Sequence, residues 1–133
     1  MSVEVPDASA FAAAFFGEAG GNQIFERFRG SLLYAPPLLR TEMANVAWKK
    51  TRREPNRHEE IRAGLETALA TEVHYLEPDL PDVLDMALSF GISVYDASYL
   101  WVAQQAGATL VSYDERLRAA ARAARIPVAP RGR

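Results

Sequence analysis

Asp7, Glu42, Asp96 and Asp114 are the residues of this chain with the most chemistry in prospect. They lie far apart in sequence, yet each falls where an alternating strand and helix pattern should bring chain ends together. Carboxylates that converge in space repel one another unless a cation such as Mg²⁺ or Mn²⁺ neutralises them. A hard cation held by oxygen acidifies a bound water and offsets charge on a phosphate, which is the chemistry of a metal-dependent phosphodiesterase. No other metal chemistry fits. The chain has no cysteine, which excludes disulfides, zinc-thiolate sites and thiol nucleophiles, and its two histidines, His58 and His74, lie away from the acids. Each acid alone has a simpler reading: Asp7, Asp96 and Asp114 sit at helix starts, where a carboxylate caps or complements the helix dipole. Caps account for the acids one at a time, but not for four on one rim.

The elements that must position them are legible from patterning. Val3 to Pro6 reads as a first strand, with proline at its end because it cannot donate to a ladder. Helices follow over Ser9 to Gly17 and Gly20 to Arg29, then a short buried strand over Leu32 to Ala35. Pro36-Pro37 opens a long helix that runs to about Arg53, proline being tolerated in a first turn. Glu42 shares one stripe of that helix with Leu38, Asn45 and Lys49, while Leu39, Met43, Val46 and Lys50 form the expected core side. Further helices are expected over Arg57 to Thr71, Pro81 to Phe90 and, from about Asp96, to Ala106. Strands are expected at Val73 to Leu76 and Thr109 to Tyr113, then a helix over Asp114 to Arg125 and an edge strand at Pro127 to Ala129. Strands separated by helices predict a three-layer α/β fold with a mainly parallel sheet. In such a sheet, sites form outside the carboxyl ends of the strands, where all four acids would then lie.

At 133 residues the chain reads as one domain, 1–133, able to bury a proper core. No apolar run approaches a membrane span; Ala8 to Phe16 is too short and follows an acid. The expectation is a soluble, cytoplasmic protein. The net charge of −2 argues at first sight against nucleic acid, but the charge is segregated. Ala63 to Glu115 carries nine acids and no Lys or Arg, whereas Arg116 to Arg133 carries six Arg and no acid. Lys49 to Arg57 holds five bases against Glu54. Such segregation fits basic walls around an acidic site, although a solvated helix face also explains a single basic run.

Four ordered stretches carry a resemblance. Val5-Pro6-Asp7-Ala8-Ser9, Ala35-Pro36-Pro37-Leu38-Leu39-Arg40-Thr41-Glu42-Met43-Ala44-Asn45-Val46, Tyr95-Asp96-Ala97-Ser98-Tyr99 and Thr109-Leu110-Val111-Ser112-Tyr113-Asp114-Glu115-Arg116-Leu117 resemble the PIN domain. More narrowly, the set is similar to the VapC-like ribonuclease toxins of type II toxin–antitoxin pairs. The resemblance implies a PIN-like fold, Mg²⁺- or Mn²⁺-dependent endoribonuclease activity, a cognate antitoxin protein and a homodimer. By position it makes Asp7, Glu42, Asp96 and Asp114 the catalytic quartet, with Asp7, Asp96 and Asp114 on the metal. Ser112 stands where a hydroxyl is usual, and Ser9 and Asn45 fall at supporting polar positions. In-line attack would leave a 5′-phosphate and a 3′-hydroxyl. Two departures stand out: Pro6, expected to bend the chain just before Asp7, and Tyr113, expected to crowd or tune the site.

The basic residues Lys49, Lys50, Arg52, Arg53, Arg116 and Arg118 are the candidate contacts to RNA phosphates. Three other readings compete: a catalytically silent PIN-like scaffold, a PIN nuclease of RNA maturation, and an unrelated phosphatase or receiver domain. The last needs a late lysine opposite the acids, and none follows Lys50.

Overall fold

The computed structural model describes residues 1–131; Gly132 and Arg133, the end of the basic tail, lie outside the described residues. The strands are β1 (Ser2–Pro6), β2 (Ser31–Ala35), β3 (His74–Tyr75), β4 (Thr109–Val111) and β5 (Val128–Ala129). The helices are α1 (Ala8–Phe15), α2 (Gly21–Arg29), α3 (Leu38–Arg53), α4 (His58–Ala70), α5 (Leu80–Phe90), α6 (Val94–Ala106) and α7 (Glu115–Ala123). One 3₁₀ turn, Pro55–Arg57, joins α3 to α4.

All four strand pairings are parallel and the sheet order is β3-β2-β1-β4-β5. The chain leaves β1 to build β2 and β3 on one side, then returns through α5 and α6 to build β4 and β5 on the other. The strand order therefore reverses between β1 and β4, and a crevice is expected outside their carboxyl ends. Helix α6 packs across β1, β2 and β4, which explains why Leu100, Val102 and Ala103 are buried almost completely. The core continues through Phe11, Leu39, Met43, Leu110 and Leu117, each no more than 1% exposed.

Pro6 does not bend β1. The Asp7 N–H donates to the Val111 carbonyl at 3.0 Å, so the ladder to β4 continues past the proline. Because N–H groups alternate sides along a strand, the Pro6 nitrogen faces β2, where the pairing already ends at Glu4 and Leu33. Two boundaries move from their expected places. Ser93, not Asp96, caps α6, accepting the Asp96 N–H at 3.0 Å, so Asp96 sits in the first turn. Strand β4 stops at Val111, which frees Ser112 and Tyr113 to turn toward the site. The Asp79 carboxylate caps α5.

A buried ion pair fixes α2 to the sheet. Glu4, 1% exposed in the middle of β1, takes both the Nε and the Nη2 of Arg27 on Oε2 at 2.5 Å. Its Oε1 has no hydrogen-bond partner among the described residues.

Candidate active site

Asp7 comes directly after β1 and is 6% exposed. A carboxylate so buried must be hydrogen-bonded, and three donors meet it. Ser9 Oγ donates to Oδ1 at 2.6 Å, the Ala10 N–H to the same oxygen at 3.0 Å, and Ser112 Oγ to Oδ2 at 2.6 Å. Asp7 thus caps α1 and faces the rim at once, so the two readings of this residue coexist. Ser112, fully buried, is the hinge of the arrangement: its hydroxyl also accepts the Asp114 N–H at 3.0 Å. Asp114 in turn caps α7, accepting the N–H groups of Arg116 and Leu117 on Oδ1 at 2.9 and 3.2 Å. Through Ser112, the loop after β4 is tied to the end of β1.

Glu42 lies in the second turn of α3, half-buried, and its Oε1 accepts the hydroxyl of Tyr99. Tyr99 is 2% exposed and stands three residues after Asp96, so one face of α6 supplies both a rim acid and the anchor of another. The sequence reading gave Tyr99 no role at the site. The available signal was the i, i+3 spacing from Asp96.

The electrostatics join the four acids. Burial pushes Asp7 above the ordinary carboxylate range, its three hydrogen bonds oppose that, and the charge of Asp114 adds to the rise. Burial likewise raises Glu42, against the Tyr99 hydrogen bond, and repulsion from Asp96 and Asp7 raises it further. Asp96 is raised by burial and then by Asp114, with Arg116 pulling it back. Tyr99 is pushed strongly upward by burial beside Glu42, which keeps its hydroxyl a donor. Asp7, Glu42 and Asp96 therefore each feel at least one other acid.

Among the described residues no three His, Cys, Asp or Glu side chains already close around one point as a finished metal cage. The donor set still fits a hard divalent cation. It is all oxygen, it is negatively charged beyond what local cations offset, and Mg²⁺ takes one or two carboxylates while keeping several waters. Asp7, Asp96 and Asp114 are the residues that could hold it, with Ser9 and Ser112 orienting Asp7 from behind. Asn45 lies exposed one turn beyond Glu42 and makes no side-chain hydrogen bond among the described residues.

The basic residues divide. Arg118 departs from the expected RNA-facing set: it is 3% exposed, and its guanidinium donates to the carbonyls of Ser112 at 2.7 Å and Pro130 at 2.6 Å. It holds the loop after β4 and the chain after β5, because the Leu117 and Ala121 side of α7 faces the core and carries Arg118 inward with it. Arg116 reaches the Gly91 carbonyl at 3.1 Å and stands near Asp96. Lys50 pairs with Glu18 at 3.5 Å, Arg52 stacks 5.0 Å over the ring of the exposed Trp48, and Lys49 and Arg53 are open to solvent.

Replacing Tyr99 by Phe is expected to lower any turnover at this site about fivefold, the hydroxyl's contribution to holding Glu42 being near 1 kcal/mol. The fold should be retained, since only one oxygen is removed from a packed ring. Unchanged turnover in the folded variant would show that Glu42 is placed without the tyrosine.

Comparison with known proteins gives a consistent result. A family model described as the PIN domain matches residues 5–123. The chain is 34% identical over 118 residues to Ribonuclease VapC3 of Pyrobaculum aerophilum, a match covering 85% of this chain and 90% of that protein. It is 33% identical over 76 residues to Exonuclease VapC9 of the same organism, covering 57% of each. The crystal structure of PAE2754 from Pyrobaculum aerophilum superposes with a TM-score of 0.73 at 30% identity, covering 90% of this chain and 87% of that one. VapC20 of Mycobacterium tuberculosis, a toxin that cleaves the sarcin-ricin loop, matches with a TM-score of 0.60 at 19% identity over 90% and 95% of the two chains. At that identity it shows the shared fold alone.

Proposed function

The chain belongs to the PIN-domain family, beside the VapC ribonucleases, and on that footing we propose that it is a metal-dependent endoribonuclease, the toxin of a toxin–antitoxin pair. The reading takes residues 1–133 as one PIN domain acting on RNA in the cytoplasm. The observation that carries it is geometric: where the strand order reverses, the Ser112 hydroxyl joins Asp7 to the Asp114 loop, and Tyr99 ties Glu42 to the helix that bears Asp96.

Mg²⁺ or Mn²⁺, bound by Asp7, Asp96 and Asp114, would supply positive charge to the scissile phosphate and acidify an attacking water. The protein's own part is positioning. Ser9, Ser112 and the Ala10 N–H fix the plane of the Asp7 carboxylate. Tyr99 occupies Glu42 Oε1, which leaves Oε2 to take the proton of the water as it attacks in line. The raised affinity of Glu42 for a proton brings it nearer to the working range of a general base. Lys49, Lys50, Arg52, Arg53 and Arg116 would meet the phosphates, giving affinity without sequence information.

A circular single-stranded RNA incubated with Mg²⁺, Mn²⁺ or EDTA tests this directly. Linear products carrying 5′-phosphates, formed only with metal, are expected. A circle left intact while linear RNA is shortened would make the activity exonucleolytic. RNA bound but never cut would favour a silent scaffold.

Two partner surfaces are assigned on the same reading. A cavity of about 220 Å³ between α1 and α4, lined by Phe15, Phe16 and Ile61 with Arg57 and Glu60 at its side, would seat one apolar side chain of an antitoxin helix. Leu80, Leu84 and Leu88, at 61%, 50% and 74% exposure, form an i, i+4, i+8 stripe along α5, which we assign to the homodimer. Leu84→Glu is expected to halve the mass measured by light scattering without altering the circular dichroism. A dimer that survives the substitution would place the contact elsewhere.

A further inference from the structure

Tyr113 is used neither by the carboxylate network nor by the core. Its side chain is 41% exposed, unlike those of its neighbours Val111 and Ser112, which are fully buried. Its N–H donates at 3.0 Å to Ser9 Oγ, the same hydroxyl that holds Asp7, so the residue's place is tied to the site carboxylate. At the far end the phenol reaches over Gly20: a Cβ added to that glycine would lie 3.3 Å from the tyrosine hydroxyl. The ring lines two depressions. The smaller, about 330 Å³, is floored by Ala12, Ala13, Ala19 and Val46, with Ser9 and Glu18 at its rim. The larger, about 800 Å³, is lined by Gln23, Ile24, Arg27, Glu115 and Arg131, with Arg118 only 3% exposed.

We infer that the smaller depression is a nucleobase subsite, in which an unpaired base flanking the scissile phosphate lies with its face against Tyr113. This deepens the proposed nuclease function and rests on it for the substrate being RNA. Unpaired bases are the part of RNA that proteins read, by splaying them onto aromatic faces. The alanine and valine floor suits a flat apolar surface, and the hollow does not admit a paired helix. Glu18, paired with Lys50 at 3.5 Å, places a carboxylate at the rim that accepts a hydrogen bond from an exocyclic amine. An amino-bearing base is therefore favoured over uracil.

The test uses the full chain in EDTA with a random-sequence single-stranded RNA containing 5-iodocytidine, irradiated at long wavelength and mapped by peptide mass spectrometry. An adduct on Tyr113 is expected. Tyr113→Phe should bind the pool as the parent does, and Tyr113→Ala about tenfold more weakly, the loss of one stacked base. In Mg²⁺, sequencing of the cut ends should show a base preference at one flanking position that Tyr113→Ala flattens. No adduct on Tyr113 overturns the subsite, as does an alanine variant with unchanged binding and cut-site preference, even where cleavage itself establishes the nuclease. An adduct without any cleavage upholds the subsite and removes the nuclease. An alanine variant that binds RNA normally but loses its grip on an antitoxin assigns the hollow to a protein side chain and overturns the proposal.

Discussion

Asp96→Asn is expected to reduce metal-dependent RNA cleavage by about 10²–10³-fold, the loss typical of removing one preorganised electrostatic contact. The same change should make the protein more stable in EDTA. Asp96 stands in the first turn of α6, where a negative charge is ordinarily favoured by about 0.3–1 kcal/mol. Arg116 favours it too. Burial and Asp114 outweigh both, since the group is held net above the ordinary carboxylate range. Asparagine keeps the shape and removes the repulsion. With saturating Mg²⁺ the order should reverse, because binding to the folded state alone stabilises the parent more than a variant short of one ligand. Thermal unfolding with and without metal reads both halves, and a variant less stable than the parent in EDTA would show that Asp96 serves the helix rather than the rim. The pH dependence has the same sign. Asp7, Glu42 and Asp96 are all raised in the folded state, so the fold binds more protons than the unfolded chain in the window between the ordinary and raised values. Their contribution to stability in EDTA is fully present below the ordinary carboxylate range and is lost as pH rises through the raised values.

Arg27→Met should be the most destabilising single change outside the core. Breaking a buried ion pair on one side costs about 3–5 kcal/mol. Arg27 is 39% exposed and its charge partly screened, which reduces the expectation to about 2–3 kcal/mol. The cost arises from Glu4, which is left in the middle of the central strand without its only partner among the described residues. A second change, Glu4→Leu, made together with Arg27→Met, should recover most of the loss, because an apolar pair of similar volume often matches a buried ion pair. Chemical denaturation of the two single variants and the double variant measures the coupling. Additive effects would mean that the two residues act independently.

Much of this arrangement was legible before the structure. The strand and helix alternation predicted the order of the elements because apolar runs of four or five residues bounded by Gly and Pro leave few alternatives. The rim position of the acids then followed from parallel topology. What escaped the sequence were pairings across large separations. Nothing local to Glu4 names a partner 23 residues away, and a carboxylate inside a Val-Glu-Val strand reads simply as solvent-facing. Tyr99 resembled a core aromatic because it is one; its hydroxyl finds Glu42 across 57 residues. Arg118 was grouped with the exposed bases by its neighbours' charge, whereas its own position on α7 turns it inward. Ser93 as the cap of α6 was a local signal, three residues ahead of Asp96.

The bond between Ser112 and Asp7 spans 105 residues, and it has a consequence for how this protein is made. During synthesis the ribosome delivers Asp7 long before Ser112 and Asp114, which emerge only after β4 begins at Thr109. Until then β1 has one neighbour, β2, and its other edge is vacant. Until β4 emerges, a nascent chain therefore carries the first acid of the site with neither the hydroxyl that orients it nor the acid opposite. If the assembled protein cuts RNA, the translation machinery is shielded from its own product by chain order alone. A product truncated before Thr109 would lack Ser112 and Asp114 and would leave the β4-facing edge of β1 unpaired, a ready template for aggregation.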